Sequence, residues 1–111
     1  MHTNATVNQQ TITLTGASGA QYSFNLYSKS LYWKSVPGVY IILRKNISGK
    51  YDPIYVGETE DLGDRIPNHH KLRCFERNGW THLGFHYEDN SSRRLYIEND
   101  ILQNYNWVCN D

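Results

Sequence analysis

The chain has 111 residues, with 11 basic and 11 acidic side chains and no net charge when the histidines are neutral. This length fits one domain with a modest core, and the charge balance argues against a general nucleic-acid coat. With 39% hydrophobic and 14% aromatic residues, the composition is too apolar for a disordered chain. No apolar run approaches the roughly 20 residues that span a membrane, so no membrane partner is expected.

The N-terminal segment and the cysteines both favour a cytoplasmic protein. Residues 1–6 are polar and uncharged, unlike the start of a secretory signal peptide. Cys74 and Cys109 are 35 positions apart and match no metal-binding or redox spacing. We therefore expect buried or free thiols rather than a disulfide.

The first half of the chain predicts strands. Residues 11–15 and 22–27 alternate polar and apolar side chains around residues 16–19, which predicts an N-terminal β-hairpin with one buried face. No helix and no Lys-Ser/Thr pair follows residues 16–19, so this glycine-containing turn is not a phosphate loop. Residues 39–43 are apolar throughout, as in a central strand. Residues 53–57 form its partner across a turn at residues 46–50.

The second half predicts helices around one further strand. Thr59 is the expected N-cap of a short helix that Pro67 ends or kinks. A second helix covers residues 71–77 and stops near Gly79, and residues 82–87 form a strand. Asn90 or Ser91 caps a final helix from about residue 92 to residue 105. The expected fold class is α+β, with a small mixed or antiparallel sheet flanked by helices.

Glu98 is the clearest physical oddity in the sequence. At helical spacing it shares a face with Leu95, Leu102 and Tyr105. A carboxylate in an apolar stripe costs free energy unless it is paired or bound to a metal. Both explanations stay open, because an ion pair with an arginine such as Arg65 gives the same pattern as a metal ligand.

Basic side chains are concentrated between residues 65 and 82, where Glu76 is the sole acid. The bases are Arg65, Lys71, Arg73 and Arg77, accompanied by His69, His70 and His82. Such a patch could hold a few phosphates, although solvated helix faces give the same pattern. His82 and His86 also share a strand face, but a zinc site needs further ligands that the neighbouring sequence does not offer.

Two tripeptides flank the turn at residues 46–50, and fourteen residues separate them. They are Gly38-Val39-Tyr40 and Tyr55-Val56-Gly57, followed in order by Arg65, His69, Glu98 and Asn110. In this order and spacing, residues 37–111 resemble the GIY-YIG nuclease family. Residues 11–16, the His69-His70 pair and the tail 106–110 also resemble small stand-alone bacterial members. The resemblance implies a GIY-YIG-like domain over residues 37–111, with residues 1–36 as a hairpin extension packed on it.

The resemblance implies an endonuclease that hydrolyses a nucleic-acid phosphodiester with Mg²⁺ or Mn²⁺. The implied catalytic residues are Tyr40, Tyr55, Arg65, His69 and Glu98, with Tyr40 as general base and Glu98 as metal ligand. The implied substrate contacts are Gly57, Arg65, His70, Lys71, Arg73 and Asn110. The expected partner is a nucleic acid, with DNA favoured over RNA, and a partner chain or a homodimer is left open.

These residue types suit phosphodiester cleavage. A hard divalent ion takes few protein carboxylates and keeps several waters, and a guanidinium group can fork onto phosphate oxygens. A tyrosine with a reference pKa of ~10 needs nearby positive charge to act as a base.

Two other functions stay open. The neutral charge and the lack of an appended specificity domain favour a non-cleaving nucleic-acid- or protein-binding module on the same scaffold. Alternatively, the domain cuts only together with a partner chain.

Overall fold

The computed structural model describes residues 10–111, so the expectations for residues 1–9, including the uncharged N-terminus, lie outside it. Five strands form one sheet in the order β1-β2-β5-β3-β4, and every neighbouring pair is antiparallel. The strands are β1 (Thr11–Thr15), β2 (Gln21–Ser28), β3 (Gly38–Lys45), β4 (Tyr51–Thr59) and β5 (His82–Tyr87). The helices are α1 (Leu62–Arg65), α2 (Leu72–Arg77) and α3 (Ser91–Leu102). The described chain is therefore α+β with an antiparallel sheet.

Strand alternation decides which side chains enter the core. β2 alternates exposed and buried residues, whereas the first six residues of β3 are all buried. β3 lies between β5 and β4 and is covered on both faces, which explains its continuous apolar run. β1 pairs with β2, and β2 pairs with β5, so residues 11–28 continue the same sheet.

Each face of the sheet carries its own apolar cluster. On one face, Ile97 and Ile101 of α3 pack with Val39, Ile41 and other sheet residues. We call this the α3 face. The opposite face, which we call the tyrosine face, carries Tyr40 and Tyr55 with residues of α1 and α2 and the connector 29–37. Within residues 10–111, no helix has the length and apolar character needed to cross a membrane.

The helix ends differ from expectation in two places. Asp61, not Thr59, caps α1, because the Asp61 carboxylate accepts the Asp64 N–H at 3.1 Å. The Thr59 hydroxyl instead accepts the Asp61 N–H at 3.0 Å. α1 ends at Arg65, before Pro67, and α3 ends at Leu102 rather than at residue 105.

The predicted apolar stripe of α3 is wrong at Leu95, whereas Leu102 and Tyr105 do pack, partly buried, against the core. Leu95 is 54% exposed, whereas the buried positions are Arg94, Ile97, Asp100 and Ile101. Two charged residues can occupy the buried face because both have partners in the core, as buried charges require. The spacing of apolar residues gives no signal for buried charged residues. It therefore predicted the wrong buried face for the helix.

Asp100 fastens α3 to the turn between β1 and β2. Its carboxylate accepts bonds from the Ser18 N–H (2.8 Å), the Ser18 hydroxyl (2.6 Å) and the Tyr22 hydroxyl (2.8 Å). Hydrogen bonding from Ser18 holds the pKa of Asp100 below its ordinary value. A Cβ at Gly16 would clash with this carboxylate, so Asp100 can keep this position only with glycine there. The turn between β1 and β2 therefore holds the helix that carries Glu98.

The expectation of free thiols is also wrong, because Cys74 and Cys109 form a disulfide with their Cα atoms 6.0 Å apart. Cys74 lies in α2, and Cys109 lies in the tail that runs back along β4. There the Cys109 N–H donates to the Ile54 carbonyl at 2.9 Å. The tertiary fold creates this approach, which a spacing of 35 residues does not reveal. Disulfides persist mainly in oxidising compartments, so the cysteines no longer support a cytoplasmic location.

Removing this disulfide should destabilise the folded protein. The bond spans 35 sequence positions, and cross-links of this kind typically raise the free energy of unfolding by about 2–4 kcal/mol. We expect a loss of that size in the Cys74→Ser, Cys109→Ser double variant, measured by urea unfolding under circular dichroism. Dithiothreitol should weaken the wild type by a similar amount and leave the double variant unchanged. A wild-type protein insensitive to the reductant would contradict the disulfide.

Candidate functional site

The site is built around a close crossing between two strands. In the β3–β4 register, Tyr40 lies opposite Gly57. A Cβ at Gly57 would lie 2.6 Å from the Tyr40 hydroxyl and 2.8 Å from the Tyr55 ring. The Tyr40 ring therefore passes over Gly57 toward β4, which is an edge strand of the sheet. Glycine at this position brings the Tyr40 hydroxyl to the edge of the sheet.

His69 joins the two tyrosines into a compact cluster. Its Nε2 lies 2.7 Å from the Tyr40 hydroxyl. The Tyr40 and Tyr55 rings stack with centroids 6.0 Å apart, and the His69 ring meets Tyr55 edge-on at 4.9 Å. All three side chains are buried, with exposed fractions of 0% for Tyr40, 9% for Tyr55 and 6% for His69.

Hydrogen bonding fixes which nitrogen of His69 carries the proton. The Lys71 N–H donates to Nδ1 at 3.0 Å, so the proton of the neutral ring must lie on Nε2. Burial, with smaller contributions from the positive charges of His70, Arg65 and Lys71, lowers the pKa of His69 to about 4. At neutral pH, His69 is therefore a neutral donor to the Tyr40 oxygen, and it cannot take the proton of Tyr40 through Nε2.

The tyrosine pKa values report opposing influences at this cluster. Burial raises the pKa of Tyr40 well above its ordinary value, and Tyr55 and Glu98 raise it further. The charge of Arg65 and its hydrogen bond to Tyr40 act in the opposite direction. Burial also raises the pKa of Tyr55, and the charge of Glu98 raises it further, whereas the charge of Arg65 lowers it. Arg65 is thus the cation that lowers the pKa of both phenols.

Glu98 is a half-buried carboxylate without a salt bridge among residues 10–111. Burial and then the neighbouring Glu58 carboxylate raise its pKa, while Arg65 and the Glu58 backbone N–H lower it. The Arg65 guanidinium donates to the Glu58 carbonyl at 3.2 Å. Arg65 and Glu98 are therefore electrostatic neighbours but do not form an ion pair. We call Tyr40, Tyr55, Arg65, His69 and Glu98 together the β4-edge site.

Two charged residues next to this site are absent from the sequence analysis. Arg94 is 5% exposed, and its Nε donates to the Glu58 carboxylate at 2.8 Å. Its Nη1 also donates to the carbonyls of Glu88 and Asp89 at 3.2 and 3.1 Å. Glu58 directly follows Gly57, but it lies 36 positions from Arg94, so no local spacing in the sequence could have indicated the pair. Because Arg94 neutralises Glu58, Glu98 remains as the unpaired acid.

The predicted substrate contacts divide into two groups. His70 and Arg73 are exposed beside an open cavity of about 400 Å³ that Lys71 also lines. Lys71 contacts Asp111 at 3.1 Å and 3.4 Å. Asn110 has a different position, because its amide donates to and accepts from the backbone of Val56 at 2.9 Å. It completes the hydrogen bonding of the β4 edge just before Gly57.

The donor set of the site suits a hard divalent cation held by few protein groups. Glu98 carries an unpaired carboxylate whose ionisation is disfavoured by burial and by Glu58, so a bound cation would relieve both penalties. Mg²⁺ accepts one or two carboxylates and keeps several waters. Within residues 10–111, no three His, Cys, Asp or Glu side chains converge into a larger ligand set, and the zinc site considered for His82 and His86 gains no further ligands.

The stability of the protein should fall as the pH drops from 7 to 5, because folding keeps His69 neutral. Its pKa is about 4 in the folded state and ~6.5 in an unfolded chain. Between these values the unfolded state binds more protons, so acid favours unfolding. At about 1.4 kcal/mol per pKa unit, we expect His69 to cost about 2 kcal/mol at pH 5.

Urea unfolding at both pH values measures this loss. His69→Gln should remove most of the dependence. His86→Gln is the matched control, because His86 lies on the α3 face against Tyr22 and Phe24, and it should keep the wild-type dependence. A His69→Gln variant with the wild-type pH response would contradict the neutral buried histidine.

Comparison with known proteins identifies no relative of this chain. None of the protein-family models, curated proteins or solved structures compared with it matches. The function is therefore inferred from the side chains that meet at the β4-edge site.

Proposed function

We propose that this protein is a divalent-metal-dependent endonuclease of the GIY-YIG type, which hydrolyses a phosphodiester of a nucleic acid, with DNA favoured. One observation carries the proposal: two tyrosines, a neutral histidine, an arginine and an unpaired carboxylate meet at the β4 edge. The resemblance of the two tripeptides and the residues that follow them supports the same activity. The site combines a base, a phosphate-binding cation and a metal ligand, which this reaction requires.

Arg65 is the phosphate-binding residue. Its guanidinium is always charged and can bind two phosphate oxygens at once, which a lysine cannot. It is anchored by one nitrogen on the Glu58 carbonyl, which directs the group toward the phenols and Glu98. Glu98 would hold Mg²⁺ or Mn²⁺, and the bound ion would supply positive charge to the phosphate and the leaving oxygen.

Tyr40 is the general base in this proposal, and the other residues stabilise its ionised form. Burial opposes ionisation, so the phenolate must be compensated by its neighbours. The His69 Nε2–H donates to the Tyr40 oxygen, and Arg65 adds a hydrogen bond and a full positive charge. Tyr55 stacks on Tyr40 and holds its ring in place. The phenolate can then accept the proton of the attacking water.

The remaining residues position the substrate and the strand. Gly57 lets the Tyr40 ring cross β4, and Asn110 braces β4 through the Val56 backbone. His70, Lys71 and Arg73 lie together at the surface after α1 and can contact phosphates on either side of the scissile bond.

A second function, a non-cleaving nucleic-acid- or protein-binding module, is favoured by one specific observation. The Tyr40 side chain is fully buried and its hydroxyl is bonded to His69, so the surrounding side chains would have to move before an attacking water could reach it. The cleavage assay below distinguishes the two functions, because a binding module would retain substrate without cutting it.

Glu98→Gln should abolish cleavage and leave the fold intact. The change removes the charge that attracts the metal, so we expect the cleavage rate to fall by about 100-fold or more. Stability should stay constant or rise, because a half-buried charge with a raised pKa disappears. The assay uses labelled branched and plain DNA duplexes with Mg²⁺, with and without a chelator, and urea unfolding measures stability.

The matched control is Glu60→Gln, which removes an exposed acid directly after β4 and should cut at nearly the wild-type rate. If Glu98 is structural instead, stability and activity should fall together in Glu98→Gln. A clear loss of stability with unchanged cleavage per folded molecule would reject the metal-ligand role. A wild-type protein that binds both duplexes and cuts neither would favour the binding module.

Binding to duplex DNA should weaken gently with salt. Few exposed cations lie near the site, and about 3 neutralised phosphates would give a log–log slope near −3. Fluorescence anisotropy with a labelled duplex in EDTA, at several potassium chloride concentrations, measures the slope. A slope several times steeper would reveal an oligomer or a second basic surface.

A further inference from the structure

A second concave surface lies on the tyrosine face, away from the cations of residues 70–77. It is a cavity of about 310 Å³ between β2, the connector 29–37 and the start of α1, within the roughly 300–1,000 Å³ typical of ligand sites. We call it the aromatic groove. Its lining includes Tyr27, Tyr32, Trp33, Lys34, Leu62 and Phe85. None of the residues assigned to the β4-edge site lines it.

The aromatic rings of the groove are arranged as a preformed surface. The Trp33 indole donates to the Ser30 carbonyl at 2.7 Å, and its ring meets Tyr27 edge-on with centroids 5.7 Å apart. Ser30 also accepts the Tyr32 N–H at 3.0 Å, which fixes the backbone beneath Tyr32. The Tyr32 side chain itself is 89% exposed. A large aromatic side chain held open to solvent on an ordered backbone has no role in the core.

Two elements that line the groove adjoin elements of the β4-edge site. The Val36 carbonyl accepts the Leu62 N–H at 3.0 Å, which joins the connector to the helix that ends with Arg65. Phe85 lies opposite Tyr40 in the β3–β5 register and forms part of the groove lining. The groove and the site tyrosines therefore lie on the same face of the sheet, and we expect a flexible chain held at Arg65 to reach the groove.

The charge of the groove suits an anionic chain. Lys34 lines it, is exposed, and forms no salt bridge within residues 10–111. The lining contains no acidic side chain. Aromatic rings beside an unpaired cation are the features by which proteins bind unpaired bases together with the neighbouring phosphate.

We propose that the aromatic groove binds an unpaired base of a single-stranded nucleic acid, next to the strand held at the β4-edge site. This inference rests on the proposed function, and it narrows the substrate to nucleic acid with a single-stranded segment. Tyr32 stacks on the base and Lys34 contacts the adjoining phosphate. A regular duplex cannot use the groove, because its bases are already stacked on one another.

Tyr32→Ala tests the groove, and the exposure of Tyr32 means that the fold should tolerate the change. The probes are a fluorescein-labelled 12-nucleotide single strand and the duplex of the same sequence, measured by anisotropy in EDTA at fixed salt. Stacking is worth about 1–3 kcal/mol per base, so single-strand affinity should fall about 5- to 150-fold. Duplex affinity should change less than about twofold. Tyr96→Ala, an exposed tyrosine on α3, is the matched control and should bind both probes as the wild type does.

Tryptophan fluorescence gives an independent readout. Trp80 and Trp107 are 2% and 8% exposed, so quenching by the unlabelled single strand should come from Trp33 and disappear in Trp33→Phe. A Tyr32→Ala variant that binds the single strand within twofold of the wild type overturns the proposal. Equal losses for single strand and duplex, or a wild type that binds neither probe, also overturn it.

The nuclease proposal fails separately. If the wild type cuts DNA with Mg²⁺ and Tyr32→Ala binds the single strand normally, the nuclease proposal stands and the groove proposal fails. If single-strand binding depends on Tyr32 and the wild type cuts nothing, the groove proposal stands and the nuclease proposal fails.

Discussion

The missing side chain at Gly57 is the constraint on which the candidate site depends. It allows the Tyr40 ring to pass over β4, so a residue of a central strand presents its hydroxyl at the edge of the sheet. An alanine there would place its Cβ 2.6 Å from that hydroxyl, so the ring or the strand would have to move. Tyr55 and His69 then fill the space around the phenol. The cluster is therefore a consequence of strand register and one glycine.

The two acids beside this cluster differ in their partners, because in the described part of the chain Glu58 has an ion-pair partner and Glu98 does not. Arg94, which is almost fully buried, forms a salt bridge with the Glu58 carboxylate. A buried ion pair of this kind avoids the cost of an isolated charge. Glu98, one turn further along the same helix, has no such partner among the described residues. Arg65 bonds to the Glu58 carbonyl and to Tyr40 but forms no salt bridge within residues 10–111, so its charge also remains available. A metal ion would suit the Glu98 carboxylate, and a phosphate would suit the neighbouring Arg65 guanidinium.

The periphery of the fold holds these groups in place. Asp100 bonds α3, the helix that carries Glu98, to the turn between β1 and β2 and to Tyr22. On the opposite side of the sheet edge, the C-terminal tail is held by the disulfide at Cys109 and by the Asn110 amide on Val56. In both cases the bonds join segments that are distant in sequence. The β1–β2 turn is joined to α3, and the C-terminal tail is joined to α2 and β4. The neighbouring aromatic groove extends the same face, which would let one nucleic-acid strand contact both.

The sequence by itself determined the elements and the order of the site residues, because strand alternation, glycine turns and helix caps are local effects. Within residues 10–111, it located the five strands and the three helices. Tertiary structure alone decided the rotation of α3, the Arg94–Glu58 pair and the Cys74–Cys109 disulfide. The buried face of α3 holds an arginine and an aspartate, and a count of apolar residues cannot place charged side chains whose partners lie 36 and 82 positions away. The disulfide likewise depends on where the tail lies in space, which the spacing of two cysteines does not encode.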